Sequence, residues 1–296
     1  MFIKDLSQIA LKYKVSLHDN PSTVLVDGMG DIPCLTVGIG SLLQKTLSQK
    51  LKDKLKIFST DLYWVNQLID LDPKMITIDT ICRDIIDIAK QLELKDYYLI
   101  GHSVFGGLAI QTAKYQPRGL KGVIGIGATP GWDAKIINFK DSYFESHASM
   151  ARKARFNMMQ KQYFDIKKDT DSLASVNAYY AESAKYFANP VTLEDMQRLW
   201  DGIDCNDTMI NHLFNHLLVD FQFDEHVEKV QVPCLIAGGQ KDYDSVPLEI
   251  WKRYAHPKHV HFLDCGPVGH WPHLEASEEF DKGVLLWMSK DGKAVS

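Results

Sequence analysis

Asp96-Tyr-Tyr-Leu-Ile-Gly-His-Ser-Val-Phe-Gly-Gly107 decides how the rest of the chain is read. An apolar strand runs into Gly101-His102-Ser103, and a helix-forming run over 104–115 follows at once. A strand–Ser–helix junction lifts one hydroxyl out on a sharp, strained turn at the carboxyl end of a sheet. The same turn leaves the backbone N–H of Val104 pointing at whatever that hydroxyl attacks.

Outward from this junction, strands and helices alternate. Pro33-Cys-Leu-Thr-Val37 reads as a buried strand ending in Gly38-Ile39-Gly40. Leu43, Leu47 and Leu51 then fall at helical spacing behind Ser41, a candidate N-cap. Leu55-Lys-Ile-Phe-Ser59 is a further strand. Ile81, Ile85, Ile88, Ala89 and Leu92 mark an amphipathic helix, and Gly122-Val-Ile-Gly-Ile-Gly127 a strand after the serine helix. Strands apolar throughout, separated by helices, predict an α/β chain with a mostly parallel sheet covered on both faces. Two alternating runs near the N-terminus, Lys12–Leu17 and Thr23–Val26, are close enough in sequence to pair antiparallel.

The alternation stops over residues 131–227. This stretch lacks strand signals, is rich in helix formers, and carries 15 of the 31 aromatic residues. A disordered insert would be poor in aromatics, so it is expected to fold. The expected organisation is a core domain of residues 1–130 and 228–296 with a helical cap over 131–227. Alternation resumes with Val232-Pro-Cys-Leu-Ile-Ala237, a helix over about 246–254, the strand His259-Val-His-Phe-Leu263, and a last helix carrying Phe280, Val284, Trp287 and Met288 on one face.

Composition narrows the function. A net charge of −5 with no long basic block excludes a nucleic-acid surface. No apolar run reaches the ~18 residues of a membrane helix, and the N-terminus does not read as a secretory signal. Five widely spaced cysteines without Cys-x-x-Cys fit a reducing compartment rather than a zinc site, so a cytoplasmic location is expected. Lys50, Lys52, Lys54 and Lys56 read as a solvated edge. Nothing in the sequence sets an oligomeric state.

A serine hydroxyl is a weak nucleophile at neutral pH and needs a base within hydrogen-bond reach, itself held by a third group. Asp242 follows one strand in Gly239-Gln-Lys-Asp242, and His270 lies in the loop after the next. In a parallel sheet these positions share one edge with Ser103. Asp244 and Asp133 are alternatives for the acid, and His273 for the imidazole. His102 is expected to pack, and Asp61 to stabilise a loop.

With Gly-His-Ser at 101–103, Gly239-Gln-Lys-Asp242 and Gly269-His-Trp-Pro-His-Leu-Glu275 in the order Ser…Asp…His, the chain resembles an α/β-hydrolase over essentially its whole length. The resemblance implies Ser103 as nucleophile, His270 as general base and then acid, Asp242 as the orienting carboxylate, and an oxyanion hole from the N–H groups of Val104 and Ile39. Two positions depart from the family. Phe105 stands where glycine is usual two residues after the serine, which implies a locally reorganised elbow. Val37-Gly38 occupies the place of His-Gly.

The stretch Tyr179-Tyr-Ala-Glu-Ser-Ala-Lys-Tyr-Phe-Ala-Asn-Pro190 and the segment Leu199-Trp-Asp-Gly-Ile203 are similar to caps of hydrolases related to prolyl aminopeptidases. The His-Gly-Gly-Pro-Gly and Asp-x-Arg-Gly stretches of those enzymes are replaced here by Val37-Gly-Ile-Gly-Ser41 and Asp61-Leu-Tyr-Trp64. Gly38, Trp132, Tyr143, Phe144, Tyr179 and Trp200 are the candidate substrate-binding residues. An aromatic, water-poor pocket predicts a small, mostly apolar ester, lactone, thioester or amide, cleaved without metal or organic cofactor. A prolyl-aminopeptidase-like peptidase, a carbon–carbon bond hydrolase and a non-catalytic ligand receptor are the alternatives.

Overall fold

A computed structural model describes residues 11–65, 71–167, 174–219, 221–222, 229–248, 250–251 and 259–290. Eight strands form one sheet: β1 (Leu11–Leu17), β2 (Asn20–Asp27), β3 (Ile32–Val37), β4 (Leu55–Ser59), β5 (Tyr97–His102), β6 (Leu120–Ile126), β7 (Cys234–Gly238) and β8 (Val260–Asp264). Their spatial order is β1-β2-β4-β3-β5-β6-β7-β8. The hairpin β1–β2 is antiparallel and β2 meets β4 antiparallel; every pairing from β4 to β8 is parallel. The hairpin turns on His18 and Asp19, with φ of +50° and +63°. Two left-handed residues match the twist of the flanking strands.

Along the parallel strands successive side chains enter opposite cores. Leu99, Val123 and Ile236 face one core with α3 (Ile78–Gln91) and α4 (Val104–Ala113). Ile100, Ile124 and Leu235 face the other with α1 (Gly40–Thr46), α2 (Gln49–Lys52) and the last helix. Burial on both faces explains why these strands read as unbroken apolar runs. The sheet is thus the α/β-hydrolase arrangement, and the strand carboxyl ends of β3, β5, β7 and β8 lie along one rim.

Between β6 and β7 come α5 (Ala134–His147), α6 (Met150–Lys167), α7 (Ala174–Tyr186), α8 (Leu193–Trp200), α9 (Asp207–His212) and a π-helical turn, Leu213–Leu217. α8 starts on a capping box, Thr192 with Asp195. After β8, the short α10 (Pro272–Glu275) leads into α11 (Ser277–Ser289), whose Phe280, Val284, Trp287 and Met288 are buried together as their spacing predicts. The helix expected over 246–254 falls partly outside the described residues.

Two local expectations are corrected. The helix behind Gly38 is broken: α1 ends at Thr46, Leu47 is extended, and Ser48 caps α2 by accepting from the Leu51 N–H. Ser41 lies inside α1 and is not its N-cap; Ser48, tied to Asp281 by its hydroxyl at 2.6 Å, supplies the competing start signal. Lys52 is buried rather than solvated, its ammonium bonded to the Gln44 carbonyl at 2.5 Å and to Asp27 at 3.3 Å. The ion pair offsets the cost of removing that charge from water.

Candidate active site

Ser103 sits between β5 and α4 with φ +59° and ψ −134°. A non-glycine residue in this region is strained, and the surroundings must hold it there. Its N–H donates to the Ile126 carbonyl at 2.8 Å and its carbonyl accepts from the Gly106 N–H at 2.9 Å. Close helix–strand contact is provided by neighbouring glycines. A β-carbon on Gly101 would lie 2.3 Å from the Phe105 carbonyl oxygen, and one on Gly106 2.9 Å from the Ala128 β-carbon.

The side chain of Phe105 is therefore free to point elsewhere, and it lies over Gly38. Gly38 has φ +98°, and a β-carbon there would fall 2.1 Å from Cγ of the phenyl ring. Trp64 packs against the same ring, with centroids 5.8 Å apart. Phe105, a departure from the family pattern, and Gly38 are thus one packing unit.

Asp242 is buried on the turn after β7. One carboxylate oxygen accepts from the N–H groups of Asp244 and Ser245, both at 2.9 Å. The other accepts from the Ser245 hydroxyl and from Nδ1 of His270, the latter at 2.9 Å. Burial works against the Asp242 carboxylate, but the His270 charge and these hydrogen bonds outweigh it and hold its pKa below the usual carboxylate range. Burial likewise depresses the His270 imidazole, yet Asp242, with Asp244 in support, raises its pKa above the ordinary histidine value; Lys140 opposes them. A proton fixed on Nδ1 by Asp242 leaves Nε2 as the basic nitrogen of the neutral ring.

The His270 loop is anchored on several sides. Its N–H donates to the Tyr186 carbonyl at the end of α7, at 2.5 Å. Glu275 accepts from the Gly269 N–H at 2.9 Å and from the Ala188 N–H at 2.8 Å, joining this loop to the segment after α7. A β-carbon on Gly269 would strike the Tyr186 carbonyl oxygen at 2.1 Å, so glycine is needed for this approach. His102 donates from Nε2 to the His270 carbonyl at 2.8 Å and packs against Trp271. Burial, then the neighbouring imidazoles, push the pKa of His102 well below the ordinary value.

The remaining candidates have other partners. Asp133 caps α5 through the Ile136 N–H and accepts from Gln222. His273 is buried beside Thr46 at 3.0 Å, its pKa pushed down to about 3 by burial and by His270. Asp61 accepts the Ser41 N–H at 2.8 Å, fixing the turn through Ile39 and Gly40. Asp244, the sequence alternative to Asp242, does not take Nδ1 of His270. In the structure its Oδ2 lies 3.5 Å from Nε2 of His270 and its Oδ1 lies 3.6 Å from the Lys140 ammonium. Neither Lys140 nor Glu275 stood out in the sequence, although Glu275 lies within the motif that contains His270.

A cavity of about 70 Å³ opens at Ser103. Ile39, Val104, Phe105, Tyr179, Trp200, Cys205, Ile210, Phe214 and Trp271 line it, together with Val37, Leu42, Leu43 and His102. Tyr179 and Trp200, both named as candidate substrate-binding residues, are in this wall, their rings 4.7 Å apart. The other four are not. Gly38 is covered by Phe105. Trp132 stands one layer back, against Phe214 with centroids 5.5 Å apart and Lys140 4.0 Å above its ring. Phe144 is buried in a separate cluster with Tyr243, and Tyr143 packs against the same tyrosine. This cluster supports the loop that carries Asp242, so apolar packing explains both residues.

Among the described residues no three His, Cys, Asp or Glu side chains are grouped to hold a metal ion. No helix among them is long and apolar enough to cross a membrane. Cys34, Cys82, Cys234 and Cys265 are buried, and burial pushes their thiols up to about 12.

Residues 60–282 match the alpha/beta hydrolase family. The chain is 24% identical over 271 residues to the AB hydrolase superfamily protein YclE of Bacillus subtilis (strain 168), covering 90% of this chain and 94% of that protein. It is 21% identical over 244 residues to a proline iminopeptidase of Clostridioides difficile (strain 630), covering 76% of each. The crystal structure of a proline iminopeptidase from Mycobacterium smegmatis superposes with a TM-score of 0.72 at 16% identity, covering 95% of this chain and 99% of that one. The chain therefore belongs to the alpha/beta hydrolase family, is a hydrolase, and has proline iminopeptidases among its relatives.

Proposed function

We propose that the chain is a serine hydrolase of small, mostly apolar carboxylic esters, lactones or thioesters, with residues 131–227 acting as a helical cap on a core of 1–130 and 228–296. Ser103 Oγ attacks the acyl carbonyl as Nε2 of His270 takes its proton. The N–H groups of Val104 and Ile39 receive the oxyanion; the former belongs to the first turn of α4, where no carbonyl of the helix can accept it. His270 returns the proton to the leaving oxygen or sulfur as the acyl–heteroatom bond breaks. A water then cleaves the acyl-enzyme by the same route, and Asp242 keeps the ring in one tautomer throughout.

The observation that carries the choice of substrate is the wall of the cavity. Ser103, Ile39 and Val104 line it, and among the described residues no Asp, Glu, Lys or Arg does. An aminopeptidase must hold a substrate ammonium, and burying that charge against apolar walls without a carboxylate is costly. An uncharged acyl group has no such need.

Turnover of p-nitrophenyl esters measured beside prolyl and alanyl p-nitroanilides tests this reading. The short esters are expected to be cleaved and the nitroanilides to be poor substrates. Faster cleavage of the nitroanilides would overturn the ester assignment in favour of a peptidase like the relatives named proline iminopeptidases.

A further inference from the structure

His270 lies between two carboxylates. Asp242 takes Nδ1 at 2.9 Å, and Oδ2 of Asp244 lies 3.5 Å from Nε2, the nitrogen that must accept the Ser103 proton. Among the described residues Ser103 Oγ has no hydrogen-bond partner. A neutral imidazole with its proton on Nδ1 would leave the electron-rich Nε2 beside a negative oxygen at that distance. Both carboxylates stabilise the doubly protonated ring, Asp242 by a hydrogen bond at Nδ1 and Asp244 by an ion-pair contact at Nε2.

Asp244 is held in place by its own surroundings. Its backbone N–H is committed to Asp242, and its second oxygen faces Lys140, which reaches in from α5 at 3.6 Å. Lys140 is itself 4.0 Å above the Trp132 ring, so its position depends on the packing of the segment after β6.

Resting on the serine-hydrolase reading above, we propose that Asp244 is a positioning residue that competes with Ser103 for Nε2 of His270, and that Lys140 sets the strength of that competition. While the ring is an imidazolium, Asp244 holds Nε2 and the base is unavailable. When the Nε2 proton leaves to solvent, the attraction to Asp244 becomes a repulsion. The lone pair is then free to accept the Ser103 hydroxyl proton. Lys140 weakens the hold by engaging the other oxygen of the same carboxylate.

Other charged or titratable groups around the pair have to be counted. His270 is faced by Asp242 and Asp244 from the loop after β7, by His102 from the end of β5, by His273 from α10, by Tyr186 from α7, and by Lys140 from α5. Asp244 is faced by Lys140 and His270 and acts on Tyr179, Glu182 and Tyr186 from α7. Burial raises the pKa of Glu182, and that of Tyr186 is also driven well up. Lys140 is the cation that opposes Asp242 and Asp244 at the His270 ring.

Imidazole NMR titration of His270 in the full-length wild type, in Asp244→Asn and in Lys140→Met is the test, with His270→Gln used to assign the signal. The midpoint is expected to fall by about one pH unit or more in Asp244→Asn, as for loss of a close opposite charge. It is expected to rise in Lys140→Met. Fluorophosphonate labelling at pH 6 should quicken several-fold in Asp244→Asn. An unchanged or higher midpoint in Asp244→Asn would overturn the proposal. If that variant does not fold, an unchanged or lower midpoint in Lys140→Met does so. A wild type that resists labelling at every pH would instead overturn the serine-hydrolase reading, and the titration would still decide the role of Asp244.

Discussion

Phe105 and Gly38 show how a single residue's environment absorbs a departure from pattern. The phenyl ring occupies the space a β-carbon on Gly38 would enter, and the glycine's φ of +98° is one an L side chain rarely adopts. Gly38→Ala should destabilise the fold by about 2 kcal/mol or more through strain and overpacking, and should cut activity by displacing Ile39. Combining it with Phe105→Ala should cost less than the sum of the two single changes, because the clash is removed; strict additivity in a denaturation cycle would contradict the contact. At His270 the sign of the pH effect follows from its raised pKa. The imidazole must be neutral to accept a proton, so the acid limb of kcat/KM should have its midpoint above the ordinary value of about 6.5. A midpoint below that value would contradict the dominance of the two carboxylates over burial.

At the scale of elements, the contact between the end of β5 and α10 is where the fold stores its acid sensitivity. His273 and His102 are buried in neutral form, the former with its pKa pushed down to about 3. The unfolded chain takes up these protons near pH 6.5 and the folded chain only far lower. Their contribution to stability is therefore complete above about pH 6.5 and is lost as the pH falls, for His273 progressively toward about 3. His273→Gln should flatten the fall in Tm between pH 6.5 and 4, and an unchanged slope would show that His273 is not held neutral. The elements themselves differ in how far they could be read beforehand. Buried parallel strands announce themselves as short apolar runs, and β3 through β7 are found where those runs stand, with β8 the half-buried edge strand beside them. The break between α1 and α2 was hidden because leucine spacing continues across it, while the interruption comes from Ser48 and its distant partner Asp281. The environment of Lys52 was equally hidden, since its neutralising groups, Asp27 and the Gln44 carbonyl, are brought to it only by folding.

For the whole molecule, the rim of a parallel sheet explains what the sequence could and could not disclose about the candidate site. Ser103, Asp242 and His270 follow three strands whose direction is fixed by the alternation, so their shared edge was readable from topology. The cavity wall was only partly readable. Tyr179 and Trp200 line it, but Tyr143 and Phe144 turn toward Tyr243, because an aromatic residue's facing depends on helix packing that periodicity does not encode. Asp244 could be noticed but not placed on Nε2, since that requires the three-dimensional course of the turn after β7. The uncharged wall of the cavity also restricts the substrate. Among p-nitrophenyl esters, kcat/KM should be at least about tenfold higher for an apolar acyl group than for one of the same length ending in a carboxylate or ammonium, since the wall offers a buried charge no partner. Equal or faster cleavage with the charged acyl group would contradict the uncharged wall.

The central claim is that Ser103 is a nucleophile activated by His270. Its most direct measurement is the mass and position of the adduct formed with a fluorophosphonate, mapped by peptide mass spectrometry in the wild type, Ser103→Ala and His270→Gln. A single adduct on Ser103 in the wild type, none in Ser103→Ala, and labelling slowed by about 10³-fold or more in His270→Gln is the expected result. An adduct on another residue, or equal labelling with and without the imidazole, would contradict it.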